Sequence, residues 1–167
     1  MTDLLALATR VVKTMTERDL TLATAESLTG GLLGATITEV PGASKVYLGG
    51  GIAYATSVKE DMLGVDRVDI DAFTVISEQV ASGMAGGIAA LTRADWSVAV
   101  TGAAGPDPQE GHAPGEVWIC VQGPQIGTLP PPVQTLQFQF AGDRRAVREA
   151  TVEAALSMLL RIMSPVG

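Results

Sequence analysis

The sequence predicts an α/β fold, a three-layer α/β/α sandwich around a mixed sheet in a single domain. Segments with helical periodicity alternate along the chain with short apolar or β-branched segments, an order typical of helices packed on both faces of a sheet. The nearly all-apolar segment 96–100 has the composition of a strand at the centre of such a sheet. With 167 residues, of which 47% are hydrophobic, the chain can bury a large core. We find no repeat and no domain boundary within 1–167.

The first half of the chain predicts three helices and two strands. Thr2 and Asp3 are capping residues, and apolar residues recur after them at helical spacing. The glycines at 49–51 interrupt a strand-like segment and indicate a bulge or the close approach of another part of the chain. Gly64 is placed to end a short helix. The predicted elements are a helix from 4 to about 18, a strand at 20–25, a helix at 28–40, a strand at 46–55 and a helix at 57–63.

The second half predicts two helices and three strands after a polar, irregular segment at 66–75. Ser77 opens a helix with one apolar face, and Asp143 caps the last helix. Three glycines in the first of these helices suggest close packing against a neighbour. The predicted elements are a helix beginning at 77, strands at 96–100, 116–121 and 133–140, surface loops at 107–114 and 123–132, and a helix after 143. Antiparallel pairing near 46–55 and within 116–140 would make the sheet mixed.

Composition excludes several classes of function. The net charge is −7, and the one basic cluster, Arg144, Arg145 and Arg148, is small, so we expect no direct binding of nucleic acid or of an anionic membrane. No segment approaches the roughly 20 apolar residues of a membrane span. A single cysteine, Cys120, excludes an internal disulfide and a cysteine metal cluster. We expect no metal, no cofactor, no processed leader and, by default, a cytoplasmic location.

The turn that follows the first predicted strand is the leading candidate for a site. Residues 24–31 read T-A-E-S-L-T-G-G, and a strand-to-helix turn of this kind presents a nucleophile or binds an anion. Ser27 is either the nucleophile or a helix N-cap. Thr29 supplies a second hydroxyl, and Gly30 and Gly31 leave amides open to an oxyanion. The turn lacks the G-x-S-x-G pattern, so this motif alone is weak evidence for hydrolysis.

A nucleophilic serine needs a base, and Lys59 is the candidate. The single histidine, His112, lies in a loop rich in proline and glycine, where we expect it to be solvated. Lys59 would need a depressed pKa, and its alternative is an ordinary surface lysine. Tyr54 is either a proton relay between Ser27 and Lys59 or a half-buried anchor. Glu26 either pairs with Lys59 or complements the dipole of the following helix.

Two further segments are candidates for substrate binding. The loop from Thr101 to Pro106 follows the predicted central strand, and ligands of α/β proteins gather at the carboxyl ends of such strands. Its alternative is an ordinary glycine turn. The segment 142–145 is a capped helix start, and one of its arginines could hold a phosphate.

Taken together, the motifs resemble one family over almost the whole chain. A-E-S-x-T-G-G, P-G-x-S, G-G-x-x-Y-x-x-x-x-K, T-G-x-A-G-P-D and F-x-G-D-R-x-x-V-R occur in the order and spacing of the CinA C-terminal domain family. The large N-terminal domain that many CinA proteins carry is absent, so the chain looks like a stand-alone member of the PncC type. It departs from the family pattern at Leu28, where cysteine is common, and at 55–56, where the family has serine and asparagine.

The resemblance implies a nicotinamide-nucleotide amidase, which hydrolyses the carboxamide of nicotinamide mononucleotide to nicotinate mononucleotide and ammonia without a metal. The family's catalytic serine, tyrosine and lysine correspond to Ser27, Tyr54 and Lys59. The substrate-binding residues then expected are Thr29, Gly30, Gly31, Thr101, Gly102, Gly105 and Arg144. The partners expected are a small nucleotide substrate and further copies of the chain, as a dimer or a higher homo-oligomer. The alternative is a non-catalytic module that binds a nucleotide or a protein in competence or DNA-damage responses.

Overall fold

The structure is a computed structural model that describes residues 3–164, and it confirms the three-layer α/β/α prediction. The helices are α1 (Leu4–Glu17), α2 (Leu32–Thr38), α3 (Thr56–Leu63), α4 (Arg67–Phe73), α5 (Glu78–Thr92) and α6 (Arg144–Met163), with a 3-10 turn at Ala43–Lys45. The strands are β1 (Leu22–Glu26), β2 (Tyr47–Ile52), β3 (Trp96–Gly102), β4 (Glu116–Gln122) and β5 (Val133–Gln139). The side chain of Asp3 caps α1 as predicted, whereas Thr2 lies outside the described residues.

The sheet has five strands in the order β2-β1-β3-β4-β5. β1 is parallel to both β2 and β3, and β4 and β5 are antiparallel to their neighbours, so the sheet is mixed. The prediction of antiparallel pairing near 46–55 is therefore wrong, while that within 116–140 is confirmed. The physical reason is that α2 carries the chain back across the sheet between β1 and β2, and such a crossover returns the next strand in parallel.

Two hydrophobic clusters lie on opposite faces of the sheet. Leu22 of β1 faces the cluster formed with α1, α2 and α6, whereas Ala23 faces the cluster formed with α3, α4 and α5. All seven residues of β3 are buried, which confirms its predicted central position. Within residues 3–164 no helix is long and apolar enough to span a membrane.

Two predicted segments differ from the structure. The helix predicted at 28–40 begins only at Leu32, because Gly30 and Gly31 have φ values of 57° and 100°, in the left-handed region that an α-helix excludes. The segment 66–75, predicted to be irregular, contains α4. Its N-cap is Asp66, whose carboxylate accepts a hydrogen bond from the Val68 N–H.

Glycines in α5 and β2 allow close contacts with neighbouring elements. A Cβ atom at Gly87 of α5 would overlap the backbone of Leu63, the last residue of α3. In β2, a Cβ atom at Gly50 would overlap the side chain of Thr24 in the neighbouring strand. Both positions confirm the close approach that the sequence predicts at these glycines. The contact between α5 and α3 helps to position the helix that carries Lys59.

Candidate active site

The carboxyl ends of three parallel strands meet at one edge of the sheet. Ser27 follows β1, Ala53 and Tyr54 follow β2, and Ala103 follows β3. The Ser27 N–H donates to the Val100 carbonyl at 3.1 Å, and the Ala53 N–H donates to the Glu26 carbonyl at 2.8 Å. Ser27 thus lies at the carboxyl end of β1, between the neighbouring strands β2 and β3. In open α/β sheets this is the position at which ligands bind.

Lys59 reaches Ser27 from α3. Its Nζ lies 3.0 Å from the Ser27 Oγ, within hydrogen-bond distance. The Lys59 side chain is 1% exposed, and Ser27 is 8% exposed. A lysine so completely buried is unusual unless it is paired or functional. The surface alternative for Lys59 therefore does not hold, and the two residues form a hydroxyl–amine pair.

The three polar contacts of Lys59 fix the direction of its amine. Besides Ser27, the Nζ donates to the carbonyl of Ala53 at 2.7 Å and to that of Tyr54 at 3.2 Å. A charged ammonium has three N–H donors and fills all three positions. A neutral amine keeps two donors, which the two carbonyls accept, and its lone pair is then directed at the Ser27 hydroxyl. The neutral form is therefore arranged to accept a proton from Ser27.

Burial lowers the pKa of Lys59 from its ordinary value of 10.5 to about 8, because the charged form loses solvation. The carboxylate of Glu110 opposes this by attracting the charge. No carboxylate makes a salt bridge with Lys59 among the described residues. A lysine of this pKa has a substantial neutral fraction near neutral pH, as a general base requires.

Glu26 stabilises the turn and does not pair with Lys59. Its carboxylate is 2% exposed and accepts hydrogen bonds from the Thr29 hydroxyl and the Leu33 N–H, each at 2.7 Å, and from the Gly34 N–H at 3.3 Å. It thus complements the start of α2, which was the second of the two alternatives for Glu26. Ser27 is not the N-cap of α2, because Gly31 occupies that position.

Only some of the backbone N–H groups of the turn have a hydrogen-bond acceptor. The Gly30 N–H donates to the Ser27 carbonyl at 3.0 Å, so it closes the turn. Within residues 3–164 the N–H groups of Leu28 and Thr29 have no hydrogen-bond acceptor. The hydroxyl of Thr29, proposed from sequence as a substrate contact, is committed to Glu26. The donors open to a ligand oxygen are therefore backbone groups that immediately follow Ser27.

Tyr54 and Arg144 lie beside the Ser27–Lys59 pair and contact each other. Tyr54 is 57% exposed, and its hydroxyl accepts a hydrogen bond from Arg144 Nη2 at 2.7 Å. Arg144 Nη1 donates to the Gly105 carbonyl at 2.9 Å. The Tyr54 hydroxyl therefore contacts Arg144, and it is the backbone carbonyl of Tyr54 that contacts Lys59. Arg144 links the loops that follow β2 and β3 and remains exposed.

Two residues of the second predicted loop have structural roles. The Thr101 hydroxyl is buried and donates to the Val75 carbonyl at 2.7 Å. A Cβ atom at Gly102 would overlap the carbonyl of Glu116, so glycine is required there by the β3–β4 pairing. Gly105 has a φ of 85°, and its peptide bond to Pro106 is cis. Of the residues predicted in this loop, Gly105 is the one that contacts Arg144.

His112 is half-buried with both ring nitrogens bound to neighbouring side chains, so the prediction that it is solvated is wrong. Its Nε2 lies 2.6 Å from the Thr74 Oγ1, and its Nδ1 lies 2.9 Å from the Glu116 Oε1. The loop at 107–114 folds back as a short hairpin in which Gln109 and His112 exchange backbone hydrogen bonds. This hairpin brings Glu110, whose carboxylate accepts from the Val75 N–H at 3.2 Å, towards Lys59.

Sequence reasoning missed two residues of the site. Glu110 acts on Lys59 only because of the hairpin turn, for which Gln109-Glu110-Gly111 carries a weak signal in its glycine. Arg148 contacts the turn after Ser27 through the carbonyls of Leu28 and Thr29. It forms part of the basic cluster seen in the sequence, but only packing reveals which arginine points inward. Among the described residues no group of three or more metal-ligating side chains occurs.

Comparisons with known proteins agree with the fold and with the family resemblance of the sequence. The model of the CinA C-terminal domain matches residues 4–163. A CinA-like protein of Frankia casuarinae is 40% identical over 154 residues, which are 92% of this chain and 34% of that protein. The chain thus spans about a third of the length of the curated relatives it matches.

Two crystal structures are similar over nearly their full length. The competence/damage inducible protein CihA from Agrobacterium tumefaciens has a TM-score of 0.91 and 34% identity, with 98% of each chain covered. The competence damage-inducible protein A (ComA) from Klebsiella pneumoniae has a TM-score of 0.92 and 29% identity, with 99% of this chain and 100% of that chain covered. On the family match and these likenesses, the chain belongs to the CinA C-terminal domain family.

Proposed function

We propose that this chain is an amide hydrolase and that its substrate is the carboxamide of nicotinamide mononucleotide. The observation that carries the hydrolase proposal is the contact between the buried Lys59 amine and the Ser27 hydroxyl, at 3.0 Å. A purely binding module has no evident need for a desolvated amine at a hydroxyl. The substrate comes from the family resemblance, since the residues themselves define only a serine–lysine pair.

In the proposed mechanism the Ser27 Oγ attacks the carboxamide carbon while the neutral Lys59 amine takes the hydroxyl proton. The carbonyl oxygen of the substrate becomes negative and accepts hydrogen bonds from the open N–H groups after Ser27. Lys59 then returns the proton to the leaving nitrogen, and ammonia departs from an acyl-enzyme. A water molecule, deprotonated by Lys59, hydrolyses the ester and regenerates Ser27.

Arg144 supports the nucleotide part of this proposal. Its guanidinium is exposed and is held beside the site by neutral partners, the Tyr54 hydroxyl and the Gly105 carbonyl. Among the described residues it has no carboxylate partner within salt-bridge distance. An uncompensated guanidinium can bind a phosphate with two parallel hydrogen bonds. We assign the substrate phosphate to Arg144.

The test is release of ammonia from nicotinamide mononucleotide by the wild type and by Ser27→Ala and Lys59→Met. Each variant should lose at least about a hundredfold in kcat, because each removes a group that takes part in the proton transfer. Lys45→Met is the matched control, since Lys45 is an exposed lysine on a 3-10 turn, and it should keep wild-type activity. Near-wild-type turnover in either site variant would refute the assigned roles.

A thermal-shift measurement separates catalysis from binding alone. A ligand present at 100 times its dissociation constant stabilises the folded protein by about 2.7 kcal/mol. Under the proposal, nicotinate mononucleotide, the product, should raise the melting temperature of the wild type and of Ser27→Ala alike. If nicotinamide mononucleotide and nicotinate mononucleotide both raise the melting temperature but the wild type releases no ammonia, a nucleotide-binding module is favoured instead.

A further inference from the structure

Arg148 of α6 is committed to the backbone next to the nucleophile. Its Nε donates to the Leu28 carbonyl at 3.1 Å, and its Nη2 donates to the Thr29 carbonyl at 2.6 Å. Its side chain is half-buried, and it makes no salt bridge among residues 3–164. The fork of one guanidinium thus holds two consecutive carbonyls, a geometry that lysine cannot reproduce.

These two contacts fix the orientation of two peptide planes. In a planar trans peptide the N–H points opposite to the C=O of the same unit. The Leu28 carbonyl shares its peptide with the Thr29 N–H, and the Thr29 carbonyl shares its peptide with the Gly30 N–H. With both carbonyls turned towards Arg148, both N–H groups point away from it. The Gly30 N–H closes the turn onto the Ser27 carbonyl, and the Thr29 N–H is left without an acceptor.

Arg148 adds to the contacts that the turn makes within itself and with Glu26. Residues 27–31 precede α2, and Gly30 and Gly31 have left-handed backbone conformations. The Thr29 carbonyl also accepts from the Leu32 N–H at 3.1 Å, whereas the Leu28 carbonyl accepts from no backbone N–H among residues 3–164. A glycine-containing turn can rotate its peptides at little steric cost. A cation at the carbonyl end also polarises each peptide and strengthens its N–H as a donor.

We propose that Arg148 is a positioning residue that orients the Leu28–Thr29 peptide, so that the Thr29 N–H receives the oxygen that becomes negative when Ser27 attacks. In that step the bond from the Ser27 Oγ to the carbonyl carbon forms, the carbonyl π pair moves to oxygen, and the hydroxyl proton goes to Lys59. Arg148 touches none of the reacting atoms. The reaction in this proposal rests on the proposed function, whereas the choice of Arg148 rests on the geometry of the turn.

The experiment compares Arg148→Lys and Arg148→Ala with Arg145→Ala. Arg145 is the matched control, because it lies on the same helix but is exposed and pairs with Glu149 at 2.8 Å. Arg148→Lys keeps the charge and the alkyl stem but loses the fork. We expect kcat for ammonia release to fall about tenfold to a hundredfold in Arg148→Lys, with KM changed less than about threefold, as for a misplaced transition-state donor. Arg145→Ala should be unchanged.

Two further readouts separate positioning from a merely structural role. Guanidinium chloride at non-denaturing concentration should restore part of the kcat lost in Arg148→Ala, whereas ammonium chloride should not. Acylation of Ser27 by p-nitrophenyl acetate, followed by intact mass, tests the amide donors without the nucleotide. It should be slowed in Arg148→Lys by a factor similar to that for kcat.

The outcomes distinguish this proposal from the proposed function. If the wild type acylates at Ser27 but releases no ammonia, slower acylation in Arg148→Lys supports the role of Arg148 while the substrate assignment fails. If the wild type releases ammonia and Arg148→Lys matches it in kcat and acylation, the role of Arg148 is refuted and the function stands. A raised KM at unchanged kcat, or a loss of rate that guanidinium does not restore, also overturns it. A wild type inert in both assays overturns both proposals.

Discussion

The titration of Lys59 yields the most direct prediction for activity. If the neutral amine is the base, kcat/KM depends on the neutral fraction of Lys59 in the free enzyme. With a pKa of about 8, about a tenth of the lysine is neutral at pH 7 and about half at pH 8. We therefore expect kcat/KM to rise about fivefold from pH 7 to pH 8 and to level off above about pH 9.

The expected rise of kcat/KM with pH follows from the burial of Lys59. The shift from 10.5 to about 8 means that the site as a whole, chiefly through burial, disfavours the ammonium by about 3 kcal/mol relative to water. Without that shift less than about a thousandth of the lysine would be neutral at pH 7, and the rate would keep rising past pH 9. The position of the plateau thus reports the pKa of Lys59, in which desolvation outweighs the opposing effect of Glu110.

A variant of Glu110 provides a second test of the Lys59 titration. Its carboxylate raises the pKa of Lys59 against the effect of burial, so Glu110→Gln should move the rising limb to lower pH. Glu60→Gln is the matched control. Glu60 is the neighbour of Lys59 on α3, but its carboxylate interacts with Arg67 at 3.4 Å. The assay is ammonia release from pH 6 to pH 10 at subsaturating substrate. A profile that is flat or falling between pH 7 and pH 9 would refute Lys59 as the base.

Three further predictions concern Tyr54, Glu26 and Gly87. Tyr54→Phe should lower kcat less than about tenfold and affect KM more, because the Tyr54 hydroxyl contacts Arg144 and not the serine–lysine pair. If Tyr54 instead relays the proton, steady-state kinetics would show a large fall in kcat with little change in KM. Glu26→Gln should lower the free energy of unfolding in urea by about 1–3 kcal/mol, since a buried acceptor of three hydrogen bonds is altered, and an unchanged midpoint would contradict this. Gly87→Ala should lower the free energy of unfolding by about 1–3 kcal/mol, because the new Cβ atom would overlap α3. Gly83→Ala is the control: its Cβ atom would lie 3.6 Å from Val65, and it should raise the free energy of unfolding by up to about 1 kcal/mol. Equal effects of the two variants in thermal melts would rule out the packing argument.

The fold was predictable because its signals are local. The periodicity of α1, the apolar run of β3 and the cap at Asp143 each report an element through the residues within it. Strand direction is different, because it depends on how the chain crosses the sheet. The segment around β2 has an irregular glycine-rich composition, and nothing within it shows that it runs parallel to β1. That is why its direction was predicted wrongly.

The candidate site was predictable in its membership and less so in its contacts. The scarcity of bases in the sequence leads to Lys59, and the structure places its amine on the Ser27 hydroxyl. The partner of the Tyr54 hydroxyl depends on Arg144, which lies 90 residues further along the chain. The environment of His112 depends on Thr74, contributed by the segment after α4. Contacts of this range follow from tertiary packing, for which composition and spacing carry no signal.

The parallel pairing of β1 with β2 is what makes a serine–lysine pair possible in this chain. Because the two strands run in the same direction, Ser27 and Ala53 emerge at the same edge, and α3 begins immediately beyond that edge. The first turn of α3 then places Lys59 beneath the carbonyls of Ala53 and Tyr54, which bind its amine at the level of Ser27. An antiparallel β2 would have delivered α3 to the opposite edge, on the order of 15 Å away for a strand of this length. The other end of α3 packs closely on α5, where Leu63 lies against Gly87. The strand topology therefore brings Lys59 to Ser27, and the pH profile of ammonia release tests whether the Lys59 amine with its lowered pKa acts there as the base.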